Sequence, residues 1–344
     1  MRMLARVLVL LPALSACTQF DRQDQVKDLR VLAARTEPAE IFYDAAAPFI
    51  PVDVTFSVFA YDPRGGSVTT TVELCAPDDE TQCTPLGTNE GVADPEDPAG
   101  RVTNAEFTVS IDDALFRSFV STLSFTSALP TFQIVVENEG ASGVTEELAF
   151  KRLPFTLDLA TLPPPLAGPI EQIYGVPLCT PASPEAPPEP PLEPGTAVCV
   201  QPVPPNLSPV LVGFDIGSGD PAEEVIIADA AAFPPHAVLT AAAGSELRID
   251  PVLAEGSIEH HQVQTLDLVS SALGLDNRTE DIAVTWTSTA GDVGRATTVI
   301  SDESGLGIVW RLPEGKAGDR CALVVVVFDQ RGGIVVGQVD VELE

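Results

Sequence analysis

The 344-residue chain is strongly acidic, with 18 basic residues, 50 acidic residues and a net charge of −32. Nucleic acids and anionic lipid headgroups carry charge of the same sign, so the composition argues against either as an electrostatic partner, and we expect no nucleic acid. Apolar residues make up 45% of the sequence, which excludes global disorder. Short apolar runs rich in Val and Thr, separated by Gly and Pro, favour strands. We therefore predict an all-β protein, and the length suggests two domains.

The N-terminal segment has the charge and hydropathy of an export signal. Two arginines flank the start of an apolar stretch that is too short to span a bilayer core about 30 Å thick. The residues that follow, Leu14-Ser15-Ala16-Cys17, resemble the lipobox of bacterial lipoproteins. The resemblance implies that residues 1–16 are a signal peptide and that Cys17 carries a covalent diacylglycerol and an N-acyl lipid. The alternative is an ordinary secretory signal with a chance cysteine.

Lipid on Cys17 would place the protein at a membrane. Two or three acyl chains give stable anchoring, since each buried methylene contributes about 0.8 kcal/mol. In the Gram-negative lipoproteins that the segment resembles, an Asp after the cysteine retains the protein at the inner membrane. Thr18 occupies that position here, which predicts the outer membrane. Residues 17–28 are polar and are expected to form a lipid-anchored tether.

The first globular module is predicted at residues 29–160 as an immunoglobulin-like β-sandwich. Val52, Val54 and Phe56 lie on one side of an alternating run, as a half-buried strand requires. Residues 138–143 are typical of a hairpin loop, and residues 112–120 are a candidate short helix. Strands are predicted at residues 29–35, 52–61, 68–75, 105–111, 131–137 and 145–151.

A proline-rich segment follows the first module. Sixteen prolines fall between residues 163 and 209. Proline removes a backbone donor and fixes φ, so this stretch cannot lie inside a sheet or a helix. We predict that residues 161–208 form an extended linker or lobe between two modules.

The second module is predicted at residues 209–344, again as an immunoglobulin-like β-sandwich. Asp220 and Pro221 have the pattern of a helix start. Strands are predicted at residues 209–216, 247–252, 263–268, 282–287, 307–312, 321–328 and 334–343.

This second half resembles bacterial immunoglobulin-like modules of the PKD type. The resemblance rests on Val284-Thr285-Trp286-Thr287, on Trp310-Arg311-Leu312-Pro313, and on Asp329 followed by Arg331-Gly332-Gly333. It implies that a strand tryptophan packs between the sheets. It also implies that a D-x-R-G-G turn joins the last two strands.

Five cysteines lie outside the lipobox, and export would place them where disulfides persist. Cys75 and Cys83 bracket a polar loop after a strand, so we predict that they pair. Cys179 and Cys199 bracket the densest proline stretch, and we predict a second bridge there. Cys321 opens a very apolar strand and is expected to be a buried thiol.

No familiar catalytic or nucleotide-binding pattern occurs in the sequence. There is no H-E-x-x-H, P-loop or G-x-S-x-G, and the chain has three histidines. His260 and His261 are adjacent, so on a strand they point to opposite faces and cannot chelate one ion together. Residues 217–222 fit G-x-G-x-x-A, but Asp220 would repel a pyrophosphate, so a loop with a helix cap is favoured.

One acidic cluster is a weak candidate for calcium, which prefers oxygen ligands. It consists of Asp215, Asp220, Glu223 and Glu224. Their spacing matches no familiar calcium loop, so solvated carboxylates are the favoured interpretation. We predict no cofactor or metal apart from the covalent lipid on Cys17.

Taken together, the sequence favours a non-enzymatic protein-binding or structural module of the cell envelope, anchored in the outer membrane. Exposed strand edges or loops would provide recognition. The first alternative is a surface polysaccharide-binding protein, which needs an exposed aromatic platform, whereas Trp286 and Trp310 are expected in the core. The second is an enzyme with an unrecognised site, which fold class alone does not exclude.

Overall fold

The computed structural model describes residues 25–26, 28–44, 47–62, 68–76, 79–93, 102–120, 130–140, 143–157, 168, 172, 195–196, 206–217, 225–227, 236–267, 272–301, 305–329 and 331–344. The expected all-β fold is confirmed. The strands of the first half are β1 Arg30–Glu37, β2 Ile41–Tyr43, β3 Val52–Tyr61, β4 Val68–Ala76, β5 Asp79–Ala93, β6 Val102–Ile111, β7 Thr131–Gly140, β8 Gly143–Arg152 and β9 Phe155–Leu157. One helix, α1 Asp113–Val120, follows β6, and Asp112 caps it by accepting a hydrogen bond from Leu115 N at 2.8 Å.

The first half forms a seven-stranded sheet in the order β1-β3-β6-β5-β4-β7-β8. The sheet folds over on itself, so that β1, β3 and β6 face β4, β7 and β8 across one apolar core. Phe56 of β3 and Phe132 of β7 meet in this core with their ring centroids 4.7 Å apart. The short strands β2 and β9 pair in parallel at one end.

The second half forms a sandwich of two five-stranded sheets. Their orders are β12-β11-β14-β20-β18 and β13-β22-β21-β17-β19, and a third, three-stranded sheet has the order β10-β16-β15. The strands are β10 Gly195–Thr196, β11 Leu211–Gly217, β12 Val225–Ile227, β13 His236–Ala241, β14 Glu246–Leu253, β15 His260–Asp267, β16 Ala272–Thr279, β17 Ala283–Ser288, β18 Asp292–Val293, β19 Thr297–Val299, β20 Ile308–Arg311, β21 Arg320–Phe328 and β22 Ile334–Leu343.

Both tryptophans lie in the core of the second sandwich, fully buried. Trp286 Nε1 donates to Thr298 Oγ1 at 2.9 Å, and Trp310 Nε1 donates to the Ala290 carbonyl at 3.1 Å. Each indole therefore has the hydrogen-bond partner that burial of its N–H demands. These two side chains do not form the exposed aromatic platform that polysaccharide binding would need.

The D-x-R-G-G turn joins β21 to β22, as the resemblance implied. Asp329 Oδ1 accepts the backbone N–H groups of Arg331 at 2.7 Å and Gly333 at 2.8 Å. Gly332 has a φ of +101°, and a Cβ on Gly333 would lie 2.2 Å from Asp329 Oδ2. Both glycines are therefore required by the turn itself.

Several sequence predictions need correction. The hairpin predicted at residues 138–143 is present, but its loop is shorter than six residues, because β7 and β8 continue until Gly140 pairs with Gly143. The polar loop between Cys75 and Cys83 is instead a tight connection between β4 and β5, a 15-residue strand that the sequence did not suggest. Residues 225–227 form β12, so a helix starting at Asp220 does not extend through them.

The half-buried interpretation of residues 52–61 is also wrong, since β3 is buried on both faces from Phe56 onward. The reason is that the two modules are docked against each other. Phe59 and Tyr61 of β3 belong to one buried apolar cluster with Val324 and Val326 of β21. The rest of this interdomain cluster consists of Val26, Leu32, Ala33, Ile334 and Val336.

Candidate functional site

The structure describes some of the predicted site residues. Cys75 and Cys83 form the predicted disulfide. Cys321 is buried and unbonded, and burial together with the nearby Asp340 raises the pKa of its thiol to about 12, so it is protonated at neutral pH. Cys17, Cys179 and Cys199 lie outside the described residues, so their predicted lipidation and pairing stay predictions.

The candidate calcium cluster is described at Asp215 alone, because Asp220, Glu223 and Glu224 lie outside the described residues. Asp215 lies on β11 with one buried carboxylate oxygen that accepts no hydrogen bond from the described part of the chain. Within the described ranges, no three His, Cys, Asp or Glu side chains come together in a way that could hold a metal ion.

The adjacent histidines of β15 have different surroundings. His260 is half-buried and its Nδ1 lies 3.1 Å from Thr279 Oγ1. His261 is buried, and this burial together with the charge of Arg331 lowers the pKa of its imidazole. Both effects favour the neutral form of His261.

A buried ionic cluster joins the two modules, and sequence reasoning missed it. Arg331, in the turn before β22, reaches Glu40 of the first module at 2.9 Å. The same guanidinium contacts two carboxylates of the second module, Glu259 at 3.1 Å and Glu280 at 3.7 Å. Lys151 of β8 adds a second link by donating to the Gly332 carbonyl at 2.7 Å.

The cluster holds more carboxylates than cations. Glu40, Glu259, Glu280 and Asp329 surround Arg331 and Lys151. Burial, with Asp329 and Glu259 nearby, raises the pKa of Glu280 to about 7, and burial lowers the pKa of Lys151 to about 8. The arrangement links the two modules, and the three carboxylates that contact Arg331 are at most 14% exposed.

A second feature is the outer face of the sheet formed by β5, β4, β7 and β8. Phe150 and Leu148 of β8 point outward and are 55% and 47% exposed. Register places Leu148 opposite Val135 of β7, and Val135 opposite Thr71 of β4. We call this surface the β7–β8 face and define it by Phe150, Leu148, Val135, Thr71 and Thr88.

A row of carboxylates borders the β7–β8 face on one side. Glu146 of β8 pairs with Glu137 of β7, which in turn lies opposite Thr69 of β4. On the other side, Gln133 of β7 lies between Phe150 and Glu73 of β4, and the exposed Arg152 of β8 follows Phe150 opposite Thr131. The face is therefore an apolar and threonine-lined centre with a row of carboxylates along one side and a mixed border, Glu73 and Arg152, on the other.

The β5 end of this face is open. Within the described residues, β5 and β6 pair at Val92 with Asn104 and at Ala93 with Thr103, and then they diverge. Asn89 Nδ2 crosses the resulting cleft to donate to the Glu106 carbonyl at 2.8 Å. Unpaired strand edges of this kind are where other polypeptides add to a sheet.

The sequence carried one signal for the β7–β8 face. In the predicted strand at residues 145–151, Leu148 and Phe150 have the same parity as Glu146, whereas Ala149 belongs to the opposite, inward face. Large apolar side chains on the polar face of a strand mark an exposed patch. Nothing in the spacing signalled the Arg331 cluster, since Glu40 lies 291 residues from Arg331.

None of the helices in the described segments is long and apolar enough to cross a membrane. No family model and no curated protein matches the chain.

Solved structures show weak likenesses. AggA of Escherichia coli, the major subunit of aggregative adherence fimbriae type I, matches with 11% identity and a TM-score of 0.22, over 40% of this chain and 99% of that chain. The tandem V-type regions of VCBP3, a v-region-containing chitin-binding protein, match with 8% identity and a TM-score of 0.23, over 91% and 100%. Red sea bream transglutaminase matches with 9% identity and a TM-score of 0.23, over 93% of this chain and 32% of the enzyme.

Proposed function

We propose that the protein is a non-enzymatic, protein-binding module of the cell envelope, held at the outer membrane by lipid on Cys17. One observation carries the proposal: the β7–β8 face is exposed on a pair of docked β modules. Exposed apolar clusters on otherwise polar surfaces mark sites of protein interaction. Phe150 and Leu148 are such residues, and they are next to each other on one face.

The docked interface supports a presenting role. Apolar packing of β1 and β3 on β21 and β22, together with the Arg331 cluster, holds one module on the other, so the β7–β8 face has a defined orientation relative to the second module. Binding surfaces on rigid elements lose less conformational freedom when a partner binds. The lipobox-like segment and the residue after Cys17 support the location, by the resemblance given above.

Membrane fractionation of a tagged full-length chain in a Gram-negative host tests the location. The parent protein is expected in the outer membrane, and Cys17→Ala is expected to leave the membrane fractions. Thr18→Asp is expected to move the protein to the inner membrane, whereas the matched control Thr18→Ser stays with the parent. A Cys17→Ala variant that fractionates as the parent does would overturn the lipid anchor.

Protease shaving of intact cells then distinguishes the two faces of the membrane. Loss of a C-terminal tag on intact cells indicates a partner outside the cell. Survival of the tag until the outer membrane is opened indicates a partner in the periplasm.

A further inference from the structure

We propose that the β7–β8 face is the docking surface for a protein that presents apolar side chains bordered by Lys or Arg. This inference rests on the proposed protein-binding function and names the chemistry of its partner. It is independent of the membrane in which the chain resides.

The apolar centre comes from strand register. Leu148 of β8 lies opposite Val135 of β7, and Phe150 lies two residues further along β8 on the same side, opposite Gln133. Thr71 and Thr88 continue the row of Leu148 and Val135, with their hydroxyls 3.0 Å apart. Burying the exposed parts of Phe150 and Leu148 would be favourable at about 25 cal/mol per Å² of apolar surface. Docking would remove this apolar surface from water.

The charge of the rim selects the partner. Glu146, Glu137 and Glu90 form one outward row along the centre, since Glu90 of β5 and Glu137 both lie opposite Thr69. Glu73 lies in the row of Phe150, and Arg152 is the one cation recognised at that border of the described face. Across an interface, carboxylates of this kind favour cationic groups and repel anionic ones. A partner with basic residues around an apolar centre satisfies both parts of the surface.

A second copy of this chain fits the face less well. In a two-fold interface the same patch occurs on both subunits, so carboxylate rims would be brought together. The whole chain carries a charge of −32, which adds to this repulsion.

The area of the face suits a transient interface. Four strands about 4.8 Å apart and eight residues long present about 500 Å², which is in the range of such an interface.

The test uses the purified full-length protein in detergent and three capped ten-residue peptides. One alternates lysine with phenylalanine or valine, one alternates glutamate with the same apolar residues, and one alternates lysine with serine. Titration calorimetry or fluorescence anisotropy measures the dissociation constants. The lysine–apolar peptide is expected to bind at least tenfold more tightly than either of the other two.

Variants locate the binding on the face. Phe150→Ser and Leu148→Ser are each expected to weaken binding of the lysine–apolar peptide by about tenfold, and Glu137→Lys combined with Glu146→Lys by more. Val238→Ser is the matched control, because Val238 is an equally exposed apolar strand residue of the second module. It is expected to leave binding unchanged.

Three results would overturn the inference. Equal binding of the lysine–serine peptide would mean that net charge alone attracts the probe. Loss of binding in Val238→Ser would place the site elsewhere, and so would unchanged binding in Phe150→Ser. A dimer in sedimentation that Phe150→Ser abolishes would make the face a self-association surface. Failure of the membrane fractionation, in contrast, would count against the anchor and not against this face.

Discussion

At the residue scale, the guanidinium of Arg331 contacts three carboxyl groups that the fold has removed from water. Its side chain is 12% exposed, and those of Glu40 and Glu280 are 8% and 0% exposed. Buried ion pairs contribute little net stability, but removal of one partner leaves uncompensated charge in the interior. Removal of Arg331 is therefore expected to destabilise the fold by more than its ion pairs stabilise it.

Arg331→Met is expected to lower the free energy of unfolding by about 3–5 kcal/mol, because Glu40, Glu259 and Glu280 lose their cation. Urea titration followed by circular dichroism measures the change. Arg320→Met is the matched control, since Arg320 forms an exposed ion pair with Glu342 at 3.0 Å. The control is expected to change stability by less than about 1 kcal/mol, and similar losses in both variants would contradict the buried role.

Glu280 makes stability depend on pH. Burial raises its pKa from 4.5 to about 7, so between these values the folded state holds a proton that the unfolded state has released. The stability from this proton is complete below pH 4.5 and is lost as the pH rises through 7. The slope from one such group is at most about 1.4 kcal/mol per pH unit.

Glu280→Gln is therefore expected to flatten the fall in stability between pH 5 and 7, and to be more stable than the parent at pH 8. Urea titrations at several pH values measure both effects. Glu255→Gln serves as the control, because Glu255 is exposed in the turn after β14. An unchanged pH profile in Glu280→Gln would mean that Glu280 does not hold the proton.

Residue patterns anticipated the local features and missed the long-range ones. The Cys75–Cys83 pair has a sequence separation of 8, and the turn at Asp329 lies within five residues, so local spacing was sufficient for both. Glu40 and Arg331 come together through the docking of two modules. No rule of spacing connects residues so far apart.

At the element scale, β21 shows what strand composition encodes. Its residues from Cys321 to Val327 are buried without interruption, because alternate side chains face the sandwich core and the other module. Continuous apolar runs indicate strands buried on both faces. The run was predicted as a strand, and its second buried face was not.

A pair of substitutions in β21 separates the two faces. Val325→Asp places a charge in the core beside Trp286 and is expected to cost more than about 4 kcal/mol, unfolding the second module with a red shift of tryptophan emission. Val326→Asp places the charge in the interdomain cluster, so it is expected to separate the modules while emission stays blue. Small-angle scattering measures the separation as a larger radius of gyration. A red shift in Val326→Asp would mean that the modules do not fold independently.

The strand β5 was missed because it contains residues that usually end strands. Pro85 and Gly87 fall where the register with β4 shifts between Val72 and Glu73, and a bulge tolerates both residues. Proline is also tolerated because the far edge of β5 is unpaired along this part of its described length. Pro85 and Gly87 are visible in the sequence, but only the structure shows that a bulge and an unpaired edge accommodate them in a strand.

The disulfide stabilises the turn between β4 and β5. Closing a loop of eight residues is worth about 2.5 kcal/mol in the chain-entropy description. Replacement of Cys75 and Cys83 by serine is expected to lower unfolding free energy by that amount without altering the far-ultraviolet spectrum. Cys321→Ser is the control for the loss of a buried sulfur, and a double variant as stable as the parent would contradict the expected contribution.

At the scale of the whole molecule, the first described residues, which precede the first module in sequence, are attached to the second module. Val26 N donates to the Ser288 carbonyl at 3.2 Å, and Gln25 Nε2 donates to the Gly291 carbonyl at 2.7 Å. The sequence predicted a tether through residue 28, and the structure shows that residues 25 and 26 are docked. Two modules with a proline-rich segment between them were predicted, but their docking was not, because it depends on complementary surfaces and not on local pattern.

This attachment predicts which end of the molecule is near the lipid. Eight peptide steps separate Cys17 from Gln25 and span at most about 28 Å, so an anchored Cys17 holds the Ser288–Gly291 end of the second module within that distance. A fluorophore at the exposed Arg295 is expected to be quenched strongly by quencher-labelled lipid in vesicles. A 20-residue Gly/Ser insertion after Asp21, whose own root-mean-square span is about 25 Å, lengthens the tether and is expected to weaken the quenching. The same insertion after Glu344 is the control, and quenching unaffected by the insertion after Asp21 would mean that residues 17–25 do not set the distance.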